Sequence, residues 1–336
     1  MQEKPLVSVV IPVRNEEHYI KECLDSILAQ DYPQDSLEVF FVDGQSTDKT
    51  REILSKYQTW YPRLFFLLDN PNRTVPYAMN IGIRASRGKY LVRLDAHAEY
   101  APDYISQCVH YLKTTDAQNV GGAVQTKSRG FVGGAIAQML SSRFGVGNSQ
   151  FRTDGKDGYV DTVPFGAFKR EVFETYGYYD VRLTRNQDNE MNYRIRKGGG
   201  KIWMSHDIKL AYYCRDTIRG ILKMGFQNGK WNILTLFLCP GAMSLRHFIP
   251  LFFVLSLILL PLLGLLTPLF WWLLAAEGVL YLLLDLLFSG MLAAKSQTGY
   301  FPLLLLLFPL FHLSYGLGSV AGFAVLPRFL MKRRDS

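Results

Sequence analysis

Cysteine is scarce in this chain: 4 in 336 residues, at Cys23, Cys108, Cys214 and Cys239, with no Cys-x-x-Cys pair and no zinc-ligand spacing. That excludes a disulfide-stapled secreted domain and a zinc ribbon, and predicts reduced, mostly buried thiols in a cytosolic setting. No secretory leader is expected either, because the first apolar run, Leu6 to Val13, is short and follows mixed charges. Charge is missing from one long region: between Ile249 and Pro327 the only charged residues are Glu277, Asp285 and Lys295. Disorder is excluded as well, because 14% aromatic and 49% hydrophobic residues supply ample surface to bury.

What is present falls into two parts. The formal charge of +8 is carried ahead of Ile249 and in a tail from Arg328 that includes Lys332, Arg333 and Arg334. A basic balance fits nucleic acid, a membrane surface or a phosphorylated substrate. Beside an apolar region long enough to be membrane-embedded, nucleic acid is the weakest of the three, and none is expected as a partner. The length suits two structural units, a basic aqueous domain followed by a membrane domain.

The N-terminal part alternates strand and helix. Leu6 to Val13 is β-branched, and Ile20, Cys23, Leu24, Ile27 and Leu28 recur at helical spacing. Leu37 to Val42 and Leu64 to Leu68 predict two further strands, with a helix from Lys49 to Tyr57 between them and Asp48 as its cap. A helix over Ala78 to Ala85 and a fourth strand over Tyr90 to Leu94 follow. Strands separated by single helices need crossover connections, so a mostly parallel, doubly wound α/β sheet is expected. Ligands bind at the carboxyl ends of such strands. Those ends carry Arg14, Asn15 and Glu16, then Asp43, then Asp95. The Gly-rich stretch Gly121 to Gly158 predicts loops and short helices, and Asn189 to Lys197 a helix stopped by Gly198, Gly199 and Gly200.

Toward the membrane, Arg215, Arg219 and Lys223 recur every fourth residue beside Ile218, Leu222, Phe226 and Trp231, which predicts a helix at the lipid surface. Three spans are expected, at 248–266, 268–288 and 301–327. Three spans would put the basic domain and the basic tail on opposite sides, against the positive-inside tendency. A re-entrant third segment, broken at Pro309 or at Gly316, Gly318 and Gly322, is the alternative. Glu277 and Asp285 are either functional or hydrogen-bonded within the bundle.

The chemistry concentrates at Arg93-Leu-Asp95-Ala-His97. A carboxylate and an imidazole two residues apart are both acceptable to Mn²⁺, whereas Mg²⁺ prefers oxygen. Alone, such a triplet is better explained by a capped turn and a surface histidine. Its place after a buried strand, opposite Asp43, strengthens the metal reading.

Four segments then follow in an order and spacing that resembles a family 2 glycosyltransferase of GT-A fold: Val9 to Glu16, Val42 to Asp48, Asn80-Ile-Gly82 with Arg87-Gly88, and Leu94 to His97. Gly166 to Gly177, Asn186 to Arg194 and Gln227-Asn-Gly-Lys-Trp231 are similar to the acceptor half and to the Gln-x-x-Arg-Trp element of that family. The resemblance covers roughly residues 5–235 and is nearest to membrane-attached enzymes that extend lipid-linked exopolysaccharide units, the succinoglycan glucosyltransferases of the ExoA type.

The resemblance implies a GT-A-like catalytic domain over 1–208, with a nucleotide-sugar half over 5–120 and an acceptor half over 121–208. Interfacial helices would follow over 209–247, a transmembrane helical domain over 248–327 and a basic tail over 328–336. It implies that Pro12, Arg14, Asn15, Glu16, Asp43, Arg73, Asn80 and Asp95 bind the donor. Asp95 and His97 would hold the divalent metal, Mn²⁺ or Mg²⁺. Asp188 would be the general base, and Gln227, Lys230, Trp231 and Arg215 would serve the diphosphate or acceptor. Without the resemblance, Asp188 is an ordinary cap for the helix after it. Three departures stand out. His97 replaces an Asp, Gln187 replaces a Glu beside the base, and Lys230 replaces an Arg, trading a planar fork for a point charge.

The expected activity is inverting, metal-dependent transfer of a hexosyl residue. The donor would be a nucleotide sugar, UDP-linked, and the acceptor a polyprenyl-diphosphate-linked saccharide. The enzyme would be multi-pass in a bacterial inner membrane, with its catalytic domain cytoplasmic. A polyprenyl-phosphate sugar synthase and a catalytically silent nucleotide-sugar sensor or export scaffold are the alternatives.

Overall fold

The computed structural model describes residues 6–147 and 156–331. The basic cluster from Lys332 and residues 148–155 of the Gly-rich stretch lie outside the described residues. The chain forms two compact units, Met1–Gln125 with Asp154–Tyr213, and Thr126–Thr153 with Cys214–Ser336.

The first unit holds a sheet of strands β1 (Val7–Val13), β2 (Leu37–Asp43), β3 (Phe65–Asp69), β4 (Tyr90–Arg93), β5 (Ala98–Tyr100), β6 (Asn119–Lys127), β7 (Gly158–Tyr159), β8 (Ala167–Lys169) and β9 (Ile202–Tyr213). Their order is β3-β2-β1-β4-β8-β6-β9-β5, with β7 on β9. The expected parallel pairing is found among the first four strands, β3-β2, β2-β1 and β1-β4. Beyond β4 the pairs β4-β8, β8-β6, β9-β5 and β9-β7 are antiparallel. The change follows the connections: a parallel pair needs a crossover helix, and the helices Ile20–Leu28, Thr50–Trp60 and Val75–Ala85 supply one only among β1 to β4.

Strands covered on both faces become continuous apolar runs, as in β2, where every residue is buried. Each such Val, Leu, Ile or Phe stabilises by roughly 1.5–3 kcal/mol. Two buried polar residues interrupt the pattern and satisfy each other. Ser8 donates to Glu38 at 2.6 Å, and Glu38 also accepts from the Arg87 and Gly88 amides at 2.5 and 3.2 Å. Gly88 is required there, because a Cβ would collide with Ser8. Gly82 likewise lets its helix lie directly on Val10 of β1. The Asn80-Ile-Gly82 and Arg87-Gly88 segments are thus packing elements that set the height of the strand ends.

The second unit is helical. It contains the helices Gly130–Leu140, Arg143–Val146 and Ile218–Leu238, and three segments long and apolar enough to cross a membrane, Leu245–Gly264, Leu269–Lys295 and Thr298–Met331. The third runs as one helix, Phe301–Met331, through Pro309 and all three glycines, so the suspected breakpoints are not breaks. They are contact points. A Cβ on Gly318 would strike the Phe226 carbonyl, one on Gly229 the Tyr315 carbonyl, and one on Gly322 would come within 2.8 Å of the Lys230 carbonyl. Gly225 and Gly229 on one helix lie against Phe311, Tyr315 and Ser319 of the other, and Gly318 and Gly322 lie against Phe226, Lys230 and Ile233 in return, glycines four apart that let helix backbones touch. Thr217 caps the Ile218–Leu238 helix by accepting from the Gly220 amide, so Arg215 precedes the helix while exposed Arg219 and Lys223 lie on it.

Polar groups within the spans are hydrogen-bonded, one Glu277 oxygen excepted. Ser256 donates to Glu277 at 2.6 Å, and Ser289 donates to Asp285 at 3.0 Å. His312 Nε2 meets the Phe144 carbonyl at 3.0 Å, and its Nδ1 meets the Tyr281 hydroxyl at 2.9 Å. A carbonyl only accepts, so Nε2 carries the proton and Tyr281 donates to Nδ1.

Candidate active site

The parallel strands β1, β2 and β4 end on a common edge of the first unit, and a cleft of about 150 Å³ opens there. Its walls include Pro12 near the end of β1, Arg14 and Glu16 after it, Gly44 after β2, Arg73 after β3, and Arg93, Asp95 and His97 at the end of β4. Six residues expected from the sequence therefore meet in one place: Pro12, Arg14, Glu16, Arg73, Asp95 and His97.

The acidic end is tightly built. His97 Nδ1 lies 3.0 Å from Asp95 Oδ1 and 3.2 Å from Glu16 Oε1. It is buried, yet it is aligned for a hydrogen bond with neither. Its other nitrogen contacts the Tyr212 hydroxyl at 3.1 Å, which fixes the ring. The Asp95 amide donates to the Tyr100 hydroxyl at 2.6 Å. Burial works against charging His97, but the Asp95 carboxylate outweighs it and holds the imidazole pKa well above its ordinary value. Burial would raise Asp95 in turn, and His97 brings it below the usual carboxylate range.

Two carboxylates around one imidazole nitrogen are a donor set that suits a divalent ion such as Mn²⁺. A nitrogen-to-oxygen separation near 3 Å is what adjacent ligands of an octahedral shell with bonds of about 2.1 Å would show. Asp95 and His97 therefore fit the group, and Glu16 joins them. Among the described residues, no three His, Cys, Asp or Glu side chains already enclose a metal-sized point, so the set has to open slightly and His97 has to lose its proton.

Other expected residues are placed differently. Asp43 is fully buried. One oxygen accepts from the Ser46 amide and hydroxyl at 3.1 and 2.6 Å, and the other from Arg51 at 3.0 Å. It shapes the turn after β2 and is not part of the cleft lining. Asn80 is also buried and clamps Tyr179, donating to its carbonyl and accepting from its amide at 2.9 Å each. Asn15 accepts from the Thr47 amide at 2.8 Å, and Arg73 donates to Gln45 at 2.5 Å. Asp48 accepts from the Thr50 amide at 3.0 Å, but the helix begins at Thr50, so Lys49 takes the cap position and Asp48 precedes it.

The helix carrying Asp188 begins at Gln187, two residues earlier than the periodicity suggests. Asp188 therefore sits in the first turn, and no side chain caps this helix. Asp188 is 36% exposed, and its Oδ2 is 3.9 Å from Arg93. Gln227, Lys230 and Trp231 ride on Ile218–Leu238 in the other unit, with Arg215 just before it. Trp231 there packs edge-on against Phe329 at 6.0 Å.

Two features escape sequence reasoning. The first is Arg93, a lone charge closing an apolar strand, which is itself the available signal. The second is backbone strain. The five non-glycine residues with positive φ among the described residues are Asn15, Gln45, Arg73, Phe165 and Asn186. Arg73 lines the cleft, Asn15 and Gln45 adjoin residues that do, and Asn186 precedes the Gln187–Lys197 helix. Such conformations cost on the order of 1–3 kcal/mol each and concentrate at functional sites.

Comparison with known proteins agrees with this geometry. Residues 8–177 match the family described as Glycosyl transferase family 2. The succinoglycan biosynthesis protein ExoA of Rhizobium meliloti is 31% identical over 245 residues, 72% of this chain and 74% of ExoA. The dolichyl N-acetyl-alpha-D-glucosaminyl phosphate 3-beta-D-2,3-diacetamido-2,3-dideoxy-beta-D-glucuronosyltransferase of Methanococcus voltae is 27% identical over 248 residues, 69% of this chain and 77% of its own. Among solved structures, the mannosyltransferase PcManGT from Pyrobaculum calidifontis, in complex with GDP-Man and Mn²⁺, shares the fold with a TM-score of 0.60 at 19% identity, over 94% of this chain and 88% of its own. With its curled α/β sheet, its strand-end cleft and these relatives, the chain belongs to glycosyltransferase family 2.

Proposed function

We propose that this glycosyltransferase moves a hexosyl residue from a nucleotide sugar, a UDP-sugar, onto a lipid-linked saccharide at the cytoplasmic face of a membrane, with inversion at the anomeric carbon. The observation that carries the reading is the meeting of Glu16, Asp95, His97 and Arg93 on one strand-end cleft, with Asp188 3.9 Å from Arg93.

In a single displacement, the acceptor oxygen bonds to the anomeric carbon as the bond to the diphosphate oxygen breaks, and the electron pair leaves on the diphosphate. Asp188 takes the proton of the acceptor hydroxyl, and such assistance is typically worth about 10²–10⁴-fold. A divalent ion held by Asp95 and His97, with Glu16 beside them, supplies positive charge to the leaving group when bound. Exposed Arg14 and Arg73 add cationic donors on the same cleft. Tyr212 fixes the His97 ring by its second nitrogen, the arrangement that orients a ligating imidazole.

A lipid-linked acceptor is supported by three membrane-length helices and by a cavity of about 330 Å³ within the helical unit. Phe253, Leu284 and Phe311 line that cavity together with Arg143, Arg246 and His247. Apolar walls with two arginines suit a lipid whose head is anionic. The dolichyl-linked substrate in the name of the Methanococcus relative points the same way.

The test is release of nucleoside diphosphate by the purified full-length protein in detergent. UDP-glucose, UDP-galactose, UDP-GlcNAc and GDP-mannose would each be offered with Mn²⁺, Mg²⁺ or EDTA, for the wild type and Asp188→Asn. Metal-dependent release from one donor, lost in the variant, supports the reading. Release untouched by the substitution favours a polyprenyl-phosphate acceptor, which is already ionised and needs no base. A bound donor without turnover, even with lipid-linked acceptors present, favours a silent sensor.

A further inference from the structure

Arg93 closes β4 with its side chain inside the protein, 8% exposed. A buried guanidinium is normally held by a hydrogen-bonded carboxylate, because an uncompensated charge away from water is strongly destabilising. Here the Asp188 carboxylate is 3.9 Å away, beyond hydrogen-bond reach. The Arg93 Nε and the buried Tyr179 hydroxyl each lack a well-formed hydrogen bond, and Asp188, Tyr179 and Asp95 support the cation only through space. Phe165, 6.0 Å from the guanidinium, offers only a ring face. Yet Arg93 lines the cleft with Asp95 and His97. The cation is therefore short of acceptors at the point where a ligand enters.

The displacement chemistry says which part of the ligand reaches it. The leaving diphosphate and the attacking hydroxyl lie on opposite sides of the anomeric carbon. If Asp95 and His97 mark the diphosphate side and Asp188 the attacking side, the sugar ring lies between them. Arg93 is two residues before Asp95 and pairs loosely with Asp188, so it stands beside the ring. The diphosphate already has Arg14 and Arg73, both exposed on the cleft wall. A guanidinium donates in a planar fork and accepts nothing, and two neighbouring sugar hydroxyl oxygens present a matching pair of acceptors.

We propose that Arg93 is a donor-specificity residue whose guanidinium binds hydroxyl oxygens of the transferred sugar, not the diphosphate. This rests on the glycosyl-transfer reading above. Arg93 makes no claim on the proton transfer, which belongs to Asp188. It selects sugars that offer hydroxyls in the plane of the fork.

The experiment is isothermal titration of the full-length chain in detergent with Mn²⁺ and no acceptor. Each of UDP-glucose, UDP-galactose, UDP-GlcNAc and GDP-mannose is compared with UDP or GDP alone, for the wild type, Arg93→Lys and Arg93→Met. The expected result is that the donor bound by the wild type weakens by roughly 10- to 100-fold in Arg93→Met, while its nucleoside diphosphate binds as before. That unchanged binding also shows that the variant is folded. Arg93→Lys, which keeps the charge without the fork, carries the same comparison if the Met variant does not fold. Equal losses for donor and diphosphate would place Arg93 on the phosphates and overturn the proposal. Unchanged affinities for both would make it a structural residue. A wild type that binds none of these compounds would instead sink the glycosyl-transfer reading, and this inference with it.

Discussion

The two units solve the problem of close packing in opposite ways. In the sheet unit, large side chains such as Phe41, Tyr104 and Phe65 are sealed inside, because removal from water drives them there. In the helical unit, Leu265, Leu266 and Trp272 are 74–80% exposed, and the tightest contacts are between glycines and carbonyls. Hydrocarbon gives an outward leucine no reason to turn inward, so helices are joined where backbones touch. Polar groups differ too. Those within the spans find partners inside the unit, one Glu277 oxygen excepted, whereas the buried Arg93 Nε at the strand ends makes no hydrogen bond. That unmet hydrogen-bonding capacity lies where a ligand would enter.

The largest effect that would test this contrast is at the strand-end site. Asp188→Asn should lower the turnover of nucleotide sugar and acceptor by about 10²–10⁴-fold with the melting temperature unchanged. Lost activity with a lower melting temperature would make Asp188 structural instead. Next comes the helix contact. Gly229→Leu should destabilise the protein by about 1–3 kcal/mol or more through overpacking, read as a fall in melting temperature in detergent. Gly278→Leu, where nothing lies within 4 Å, should be neutral or gain up to about 1 kcal/mol of helix propensity. Equal penalties at the two glycines would erase the distinction between contact and lipid-facing positions.

A smaller loss is expected for Asn80→Ala, which removes both bonds to the Tyr179 backbone and should cost about 1–3 kcal/mol without changing donor affinity. A weakened donor at constant stability would return Asn80 to the binding site. The smallest effect is pH-dependent. Burial would raise Asp48, but hydrogen bonds from Thr50 and Glu17 more than offset this and lower its pKa. A lowered folded-state pKa adds stability that is present above the unfolded value of about 3.9 and lost as pH falls through the folded value. Asp48→Asn should therefore flatten the acid limb of a melting-temperature profile below about pH 4 and leave its neutral slope alone.

Much of the catalytic edge was legible because strand ends are marked by simple signals. An apolar run stops, a polar cluster follows, and parallel pairing brings the clusters together. Glu16, Asp95 and His97 meet for that reason. Asp43 and Asn80 show the limit of the same logic. A polar residue at a strand end or on a helix can point into a cleft or into the chain's own backbone, and spacing does not separate the two. Arg93 was visible as a charge in an apolar strand, but that its guanidinium is only loosely paired depends on Phe165 and Asp188, some 70 to 95 positions away. The glycines of the last span were misleading for a related reason. A glycine in an apolar run signals either a break or a close approach, and only the partner helix, with its own glycines four apart, decides.

The left-handed residues around the cleft have a consequence for the thermodynamics of recognition. Asn15 reaches across to the Thr47 amide, and Arg73 to the Gln45 side chain. Three of the five strained residues thus lace together the loops that follow β1, β2 and β3. Loops tied in this way lose little further freedom when a ligand arrives. Their ordering entropy is settled during folding and does not subtract from affinity. A nucleotide sugar would then meet a wall already in its bound shape, and the heat of association would report mainly the new contacts.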